Sequence, residues 1–247
     1  MRLGVQLRPW LIQEPQPTVE AALSEAVQAG FNHVEIGAHY LDWDHPEMLR
    51  QSIQACGVSI SGVHVGGDIF NPDHVKFVRS QLGRVLSCLT DLDVHNLLFS
   101  GLLIEHKTAE ELQSELKAIT QAAEMCKHYG IRLLYHHHWW EIADDYRDLR
   151  FYLAETNPQM VSFCLDIGWI FRAGGDPLKA INLCADRATY FHLRDDTLDH
   201  RWVGLGEGVI DYHSLLRGTM ARHADWIVLE QDDITGSVTD ALRASRV

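Results

Sequence analysis

The sequence predicts an α/β fold, a single (β/α)8 barrel, on three observations. Eight short apolar runs recur along the chain, a longer helical pattern follows each one, and the set fills 247 residues. The runs lie at 3–7, 33–37, 59–65, 96–100, 132–138, 161–166, 189–194 and 226–230. They are nearly continuous in apolar residues, which is how parallel strands covered on both faces read. No GxGxxG or GxxxxGK[ST] turn is present, which disfavours an open doubly wound sheet.

The intervening helical segments lie at 18–29, 45–55, 73–89, 109–129, 144–155, 177–185, 211–222 and 237–246. Gly30 follows the first and Gly130 the fourth, where a C-cap glycine belongs. In the fourth, Leu112, Leu116, Ile119 and Ala123 share one stripe, a core-facing pattern. Asp176-Pro177 gives the sixth an N-cap followed by proline at its first position.

Composition bounds the function. There is no Pro/Ser linker, low-complexity tract or long charge run, so residues 1–247 read as one domain. The apolar stretch after Met1-Arg2 is too short for a signal peptide, and nothing approaches a membrane span; a soluble protein is expected. Cys56, Cys88, Cys126, Cys164 and Cys184 are odd in number and never spaced CxxC, which predicts buried thiols and a cytoplasmic setting. A net charge of −13 argues against a nucleic-acid partner. A small-molecule substrate is left, and an oligomer is compatible with the sequence.

Four runs bring a metal-competent side chain to the barrel face where strand C-termini meet. Glu141 lies just beyond the fifth run, Asp166 closes the sixth, His192 sits late in the seventh and Glu230 ends the eighth. Three carboxylates and one imidazole suit one divalent cation, Mn²⁺ or Mg²⁺ first, with Co²⁺ or Zn²⁺ also compatible. His136 and His138 share one side of the fifth run, since strand side chains repeat with period two. His138 is the candidate proton shuttle, alongside the ligand carboxylates Glu141 and Glu230. His64, His136, Arg194 and Trp169 are the candidate substrate contacts, the tryptophan through the C–H face of a sugar ring. Glu35, inside the second run, is read as structural, with Arg8 as one partner for it.

The ordered motifs YHHHWWE (135–141), LDIGW (165–169), HLRD (192–195), LGEG (205–208) and VLEQD (228–232) resemble the xylose isomerase-like (β/α)8 superfamily. Within it they are most similar to the sugar phosphate isomerase/epimerase branch that includes inosose dehydratase-like proteins. The resemblance implies one divalent metal at the mouth and proton transfer next to a carbonyl, through an enediolate of a keto-sugar or inosose. Isomerase, epimerase and dehydratase outcomes share that chemistry. Asp166, His192 and Glu230 match three of the family's four metal ligands. The fourth falls on Glu141, with His136, which stands where many relatives have Glu, as the substitute. The DNA-repair endonuclease branch places metal ligands where this chain has Trp169 and Trp202, so that activity is not implied. A bridged two-metal hydrolase would want His-x-His on the first run, which reads Val5-Gln6-Leu7-Arg8. A non-catalytic sugar-binding barrel is the remaining alternative.

Overall fold

The computed structural model describes residues 1–66, 75–101 and 103–246, with the side chains of residues 75–80 left out. Its strands are β1 Arg2–Gln6, β2 His33–Gly37, β3 Ser59–Gly66, β4 Asn96–Ser100, β5 Arg132–His136, β6 Val161–Asp166, β7 Ala188–Leu193, β8 Asp195–Asp196, β9 Trp202–Val203 and β10 Trp226–Leu229. β1 to β7 and β10 close into a barrel in chain order, every neighbour parallel, with β10 returning to β1. The predicted (β/α)8 barrel is therefore the fold. β8 and β9 form a separate antiparallel ribbon directly after β7.

Two cores explain the apolar runs. Outward-facing strand residues such as Val5, Val34, Phe163, Phe191 and Leu229 join the helices in one large buried cluster. Inward-facing Leu98, Leu134, Cys164, Tyr190, Trp226 and Val228 form a second, smaller one. Strands buried on both faces lose the polar alternation of a half-exposed sheet. The inner cluster plugs the barrel, and what stands on it decides the chemistry. Two residues beyond Leu98, Leu134, Cys164, Tyr190 and Val228 come Ser100, His136, Asp166, His192 and Glu230. Period-two geometry thus turns all five toward the same interior layer, at the strand C-termini.

Several boundaries differ from the sequence reading. β5 ends at His136, and a helix spanning Trp139–Glu155 starts five residues before the predicted 144. It is interrupted by left-handed backbone at Asp144, Asp145 and Tyr146. Aspartate tolerates that region and tyrosine rarely does; here the Tyr146 hydroxyl donates to Asp176 O at 3.0 Å and accepts from Asp176 N at 2.6 Å. The segment predicted at 211–222 divides at Gly218 into Tyr212–Arg217 and Met220–His223. The segment predicted at 73–89 begins outside the described residues and is seen as Val75–Asp91. The short helix Ile167–Arg172, capped by the Asp166 side chain, was not expected from the sequence. Among the described residues no helix is long and apolar enough to cross a membrane.

Candidate metal centre

Asp166, His192 and Glu230 arrive on three adjacent barrel strands, buried, with one donor atom of each within 4.8 Å of the others. His192 Nδ1 lies 3.0 Å from Glu230 Oε2 and 4.0 Å from Asp166 Oδ2, and His136 Nε2 lies 3.7 Å from the same Asp166 oxygen. Donors bound to one ion at about 2.1 Å stand about 3–4 Å apart, so these spacings suit one cation. His136 Nε2, Asp166 Oδ2 and His192 Nδ1 are buried and accept or donate no aligned hydrogen bond. Unpartnered buried polar atoms are costly, and an ion beside Asp166 Oδ2, between His192 and Glu230 and with His136 at its edge, would relieve them.

Charge is concentrated here. Asp166, Glu230 and Asp232 surround one buried guanidinium, Arg194, whose Nε is 3.0 Å from Asp166 Oδ2 and whose Nη2 is 2.5 Å from Glu230 Oε2. Its aligned hydrogen bond runs from Nη1 to Asp232 Oδ2 at 2.7 Å. Burial lifts the Asp166 carboxyl to about 6, with Arg194 pulling the other way. Burial also acts on Glu230, but Arg194 and His192 outweigh it and hold that carboxyl well below its ordinary range. Arg194 and His192, whose burial is outweighed by acidic neighbours that favour its charged form, face these carboxylates from inside the barrel, and a divalent ion would take the place of the imidazolium proton.

Glu141 is not brought to this group. It falls in the first turn of the helix after β5, where Oε2 accepts from the His138 backbone N–H at 2.8 Å. Its Oε1 accepts from Lys107 Nζ at 2.6 Å and Trp140 Nε1 at 2.7 Å. Lys107 is itself fully buried and also meets Glu115 at 3.7 Å and Asp148 at 3.6 Å. Burial lifts the Glu141 carboxyl to about 7 in spite of Lys107, as expected where one ammonium faces three carboxylates. The structure thus places Glu141, expected as the fifth-strand donor, away from Asp166, and its substitute His136 beside it. The period of two explains why: an inward residue on β5 meets Asp166, and a residue five positions into the following turn does not.

The other candidates line or flank a cavity of about 480 Å³ at the same mouth, bordered by His64, His136, His138, Trp169, Arg194 and Glu230. His138 stacks on Trp140, ring centroids 4.6 Å apart, and its Nδ1 has no hydrogen-bond partner. His64 reaches Ser100 Oγ through Nε2 at 2.6 Å. Arg194 lies over the Trp169 ring at 5.2 Å, a cation–π contact that orients the guanidinium. His137 is structural: its Nε2 accepts from Asp166 N at 3.1 Å and its Nδ1 donates to the His138 carbonyl. Trp10 belongs to the core and donates to Thr239 Oγ1. Arg8 pairs with Asp232, not with Glu35. A larger recess of about 710 Å³ opens at the opposite end of the barrel. Its Arg132 and Asp225 neutralise each other at 2.6 Å, and no donor group of the kind above lies there among the described residues.

Fold and site define a (β/α)8 barrel with an imidazole–carboxylate centre at its C-terminal mouth. The chain belongs to the xylose isomerase-like TIM barrel family, whose profile matches residues 23–246. It is 26% identical over 249 residues to an inosose dehydratase of Geobacillus kaustophilus (strain HTA426), covering 87% of this chain and 80% of that one. A sugar phosphate isomerase/epimerase from Parabacteroides distasonis superposes with a TM-score of 0.81 at 18% identity, over 99% of this chain and 91% of that one. The IolI protein with a bound zinc atom gives 0.79 at 14% identity, over 99% and 95%. At such identities the structural likenesses speak to the fold alone.

Proposed function

We propose that the protein is a divalent-metal-dependent enzyme that moves a proton at a carbon next to the carbonyl of a keto-sugar or cyclitol ketone. The observation that carries this reading is the meeting of Asp166, His192 and Glu230 donors, with His136 Nε2 against the same Asp166 oxygen, beside a cavity that also holds His138. His136, Asp166, His192 and Glu230 would hold the ion, with Mn²⁺ or Mg²⁺ favoured by the carboxylates and Zn²⁺ or Co²⁺ by the imidazoles. When bound, the cation supplies Lewis-acid polarisation of a carbonyl, which acidifies the neighbouring C–H.

The chain's own residues supply the rest. His138 Nδ1, buried and free of protein partners, takes the proton from that carbon and returns it. Arg194, held by Asp166, Glu230 and Asp232 at the cavity border, brings its positive charge near a substrate oxygen where negative charge develops. Trp169 offers an aromatic wall to the C–H face of the ring. Return of the proton to the adjacent carbon isomerises and return to the opposite face epimerises. A second reading, dehydration by loss of a β-hydroxyl, is favoured by the inosose dehydratase relative. Incubating the Mn²⁺-loaded protein with keto-sugars and inososes in D₂O tests the proposal. Deuterium next to the carbonyl is expected, with the product separating isomerase, epimerase and lyase; no exchange with any of them would refute it.

A further inference from the structure

His136 and His192 approach the same Asp166 oxygen with different ring nitrogens, Nε2 of one and Nδ1 of the other. A neutral imidazole carries its proton on one nitrogen only, so a lone pair at one requires the proton at the other. The two rings must therefore adopt opposite tautomers. Resting on the metal reading above, we propose that the buried carboxylate of Glu35 sets both. It does so directly for His192 and through His64 and Ser100 for His136, which makes Glu35, His64 and Ser100 positioning residues of the metal centre.

The direct arm is short. Glu35 is fully buried on β2, and its Oε2 stands 2.7 Å from His192 Nε2. An ionised carboxylate only accepts, so Nε2 carries the proton and Nδ1 is left to face Asp166 and Glu230. Every other neighbour of Glu35 also donates: Tyr190 OH to Oε2 at 2.8 Å and Gln6 Nε2 to Oε1 at 2.9 Å. The Gln6 amide cannot be reversed without loss, because its Oε1 accepts from the Arg8 backbone N–H at 2.9 Å.

The indirect arm turns on a single hydroxyl. Ser100 Oγ touches His64 Nε2 at 2.6 Å and His136 Nδ1 at 3.0 Å, and it has one proton to give. His64 Nδ1 faces Glu35 Oε1 at 3.6 Å, an electrostatic contact that favours the proton on that nitrogen. His64 Nε2 then accepts from Ser100. Ser100 in turn must accept from His136 Nδ1–H, which bares His136 Nε2 toward Asp166. Orienting groups of this kind typically govern metal affinity as strongly as they govern activity.

The test uses the full chain with ¹⁵N-labelled imidazoles and Zn²⁺ as a diamagnetic probe, read by NMR and by competitive calorimetric titration. In the wild type, His192 should bind through Nδ1 with its proton on Nε2, and His136 the reverse. Ser100→Ala should weaken Zn²⁺ binding about tenfold and alter the His136 and His64 signals while leaving those of His192 unchanged. Glu35→Gln should weaken it by about 10–100-fold and alter His192 too, because its NH₂ faces donors in either orientation. Ser100→Ala removes one hydroxyl and carries the test if Glu35→Gln does not fold. Both rings bound through the same nitrogen, or folded variants with wild-type affinity, would overturn the inference while leaving the metal centre standing. A wild-type protein that binds no Zn²⁺ would instead remove the metal reading, and this inference with it.

Discussion

Replacing Lys107 by methionine separates the buried ion cluster from the metal centre. Lys107 Nζ is 2.6 Å from Glu141, 3.6 Å from Asp148 and 3.7 Å from Glu115, and all four side chains are at most 1% exposed. Removing one partner of a buried ion pair costs about 3–5 kcal/mol, since uncompensated charge stays behind. In a chain of this size about 1 kcal/mol moves the melting temperature by about 2–4 °C, so a fall of about 6–20 °C is expected. Uptake of a proton by Glu141 places the result toward the lower end at acidic pH. Melting followed by circular dichroism gives the shift, and Zn²⁺ titration of the same variant should give wild-type affinity. A melting temperature within about 2 °C of wild type would refute the paired-cluster account. A tenfold change in Zn²⁺ affinity would return Glu141 to the metal centre.

Asp166→Asn and Glu230→Gln should each abolish metal-stimulated turnover and bound metal while far-UV circular dichroism stays unchanged; full turnover in either would contradict the ligand assignment. His138→Gln should lower kcat by about 10²–10⁴-fold with Zn²⁺ affinity retained, which kinetics and calorimetry together decide. The folded-state Glu141 carboxyl is raised from 4.5 to about 7, so the folded protein holds that proton longer than the unfolded chain. Its contribution is full below 4.5 and is lost as the pH rises through about 7, a span worth about 3 kcal/mol. Urea denaturation between pH 5 and 8 should show this loss in wild type and not in Glu141→Gln; equal slopes would sink the argument. Gly62→Ala would set a Cβ 2.5 Å from Leu98 Cδ1 in the barrel plug. Overpacking there should cost about 1–3 kcal/mol in urea denaturation, with unchanged Zn²⁺ affinity.

The barrel was legible because its strands are buried on both faces, and the meeting of Asp166, His192 and Glu230 was legible because each lies at a strand end. Glu141 escapes that rule because the chain leaves β5 at His136 and has entered a helix before reaching it. The spacing from His138 to Glu141 matches a capping box, a first-turn glutamate reaching back to the residue before the helix. Lys107 gave no local signal, since its partner Glu141 lies 34 residues away. Glu35 was seen but matched with Arg8, when its partners come from β1 and β7. Residues whose role depends on neighbours across the barrel cannot be paired from one strand's text.

The strict alternation of inner and outer residues limits how such a protein can change over time. His192 stands between Phe191 and Leu193, both packed outward in the helix-facing core. Deleting one residue from β7 would offer the metal an aromatic or aliphatic group and drive the imidazole into that core. Exchanging one side chain for another in place leaves the frame intact. This register therefore tolerates exchanges of residue within the strands, and changes of length only in the loops beyond them.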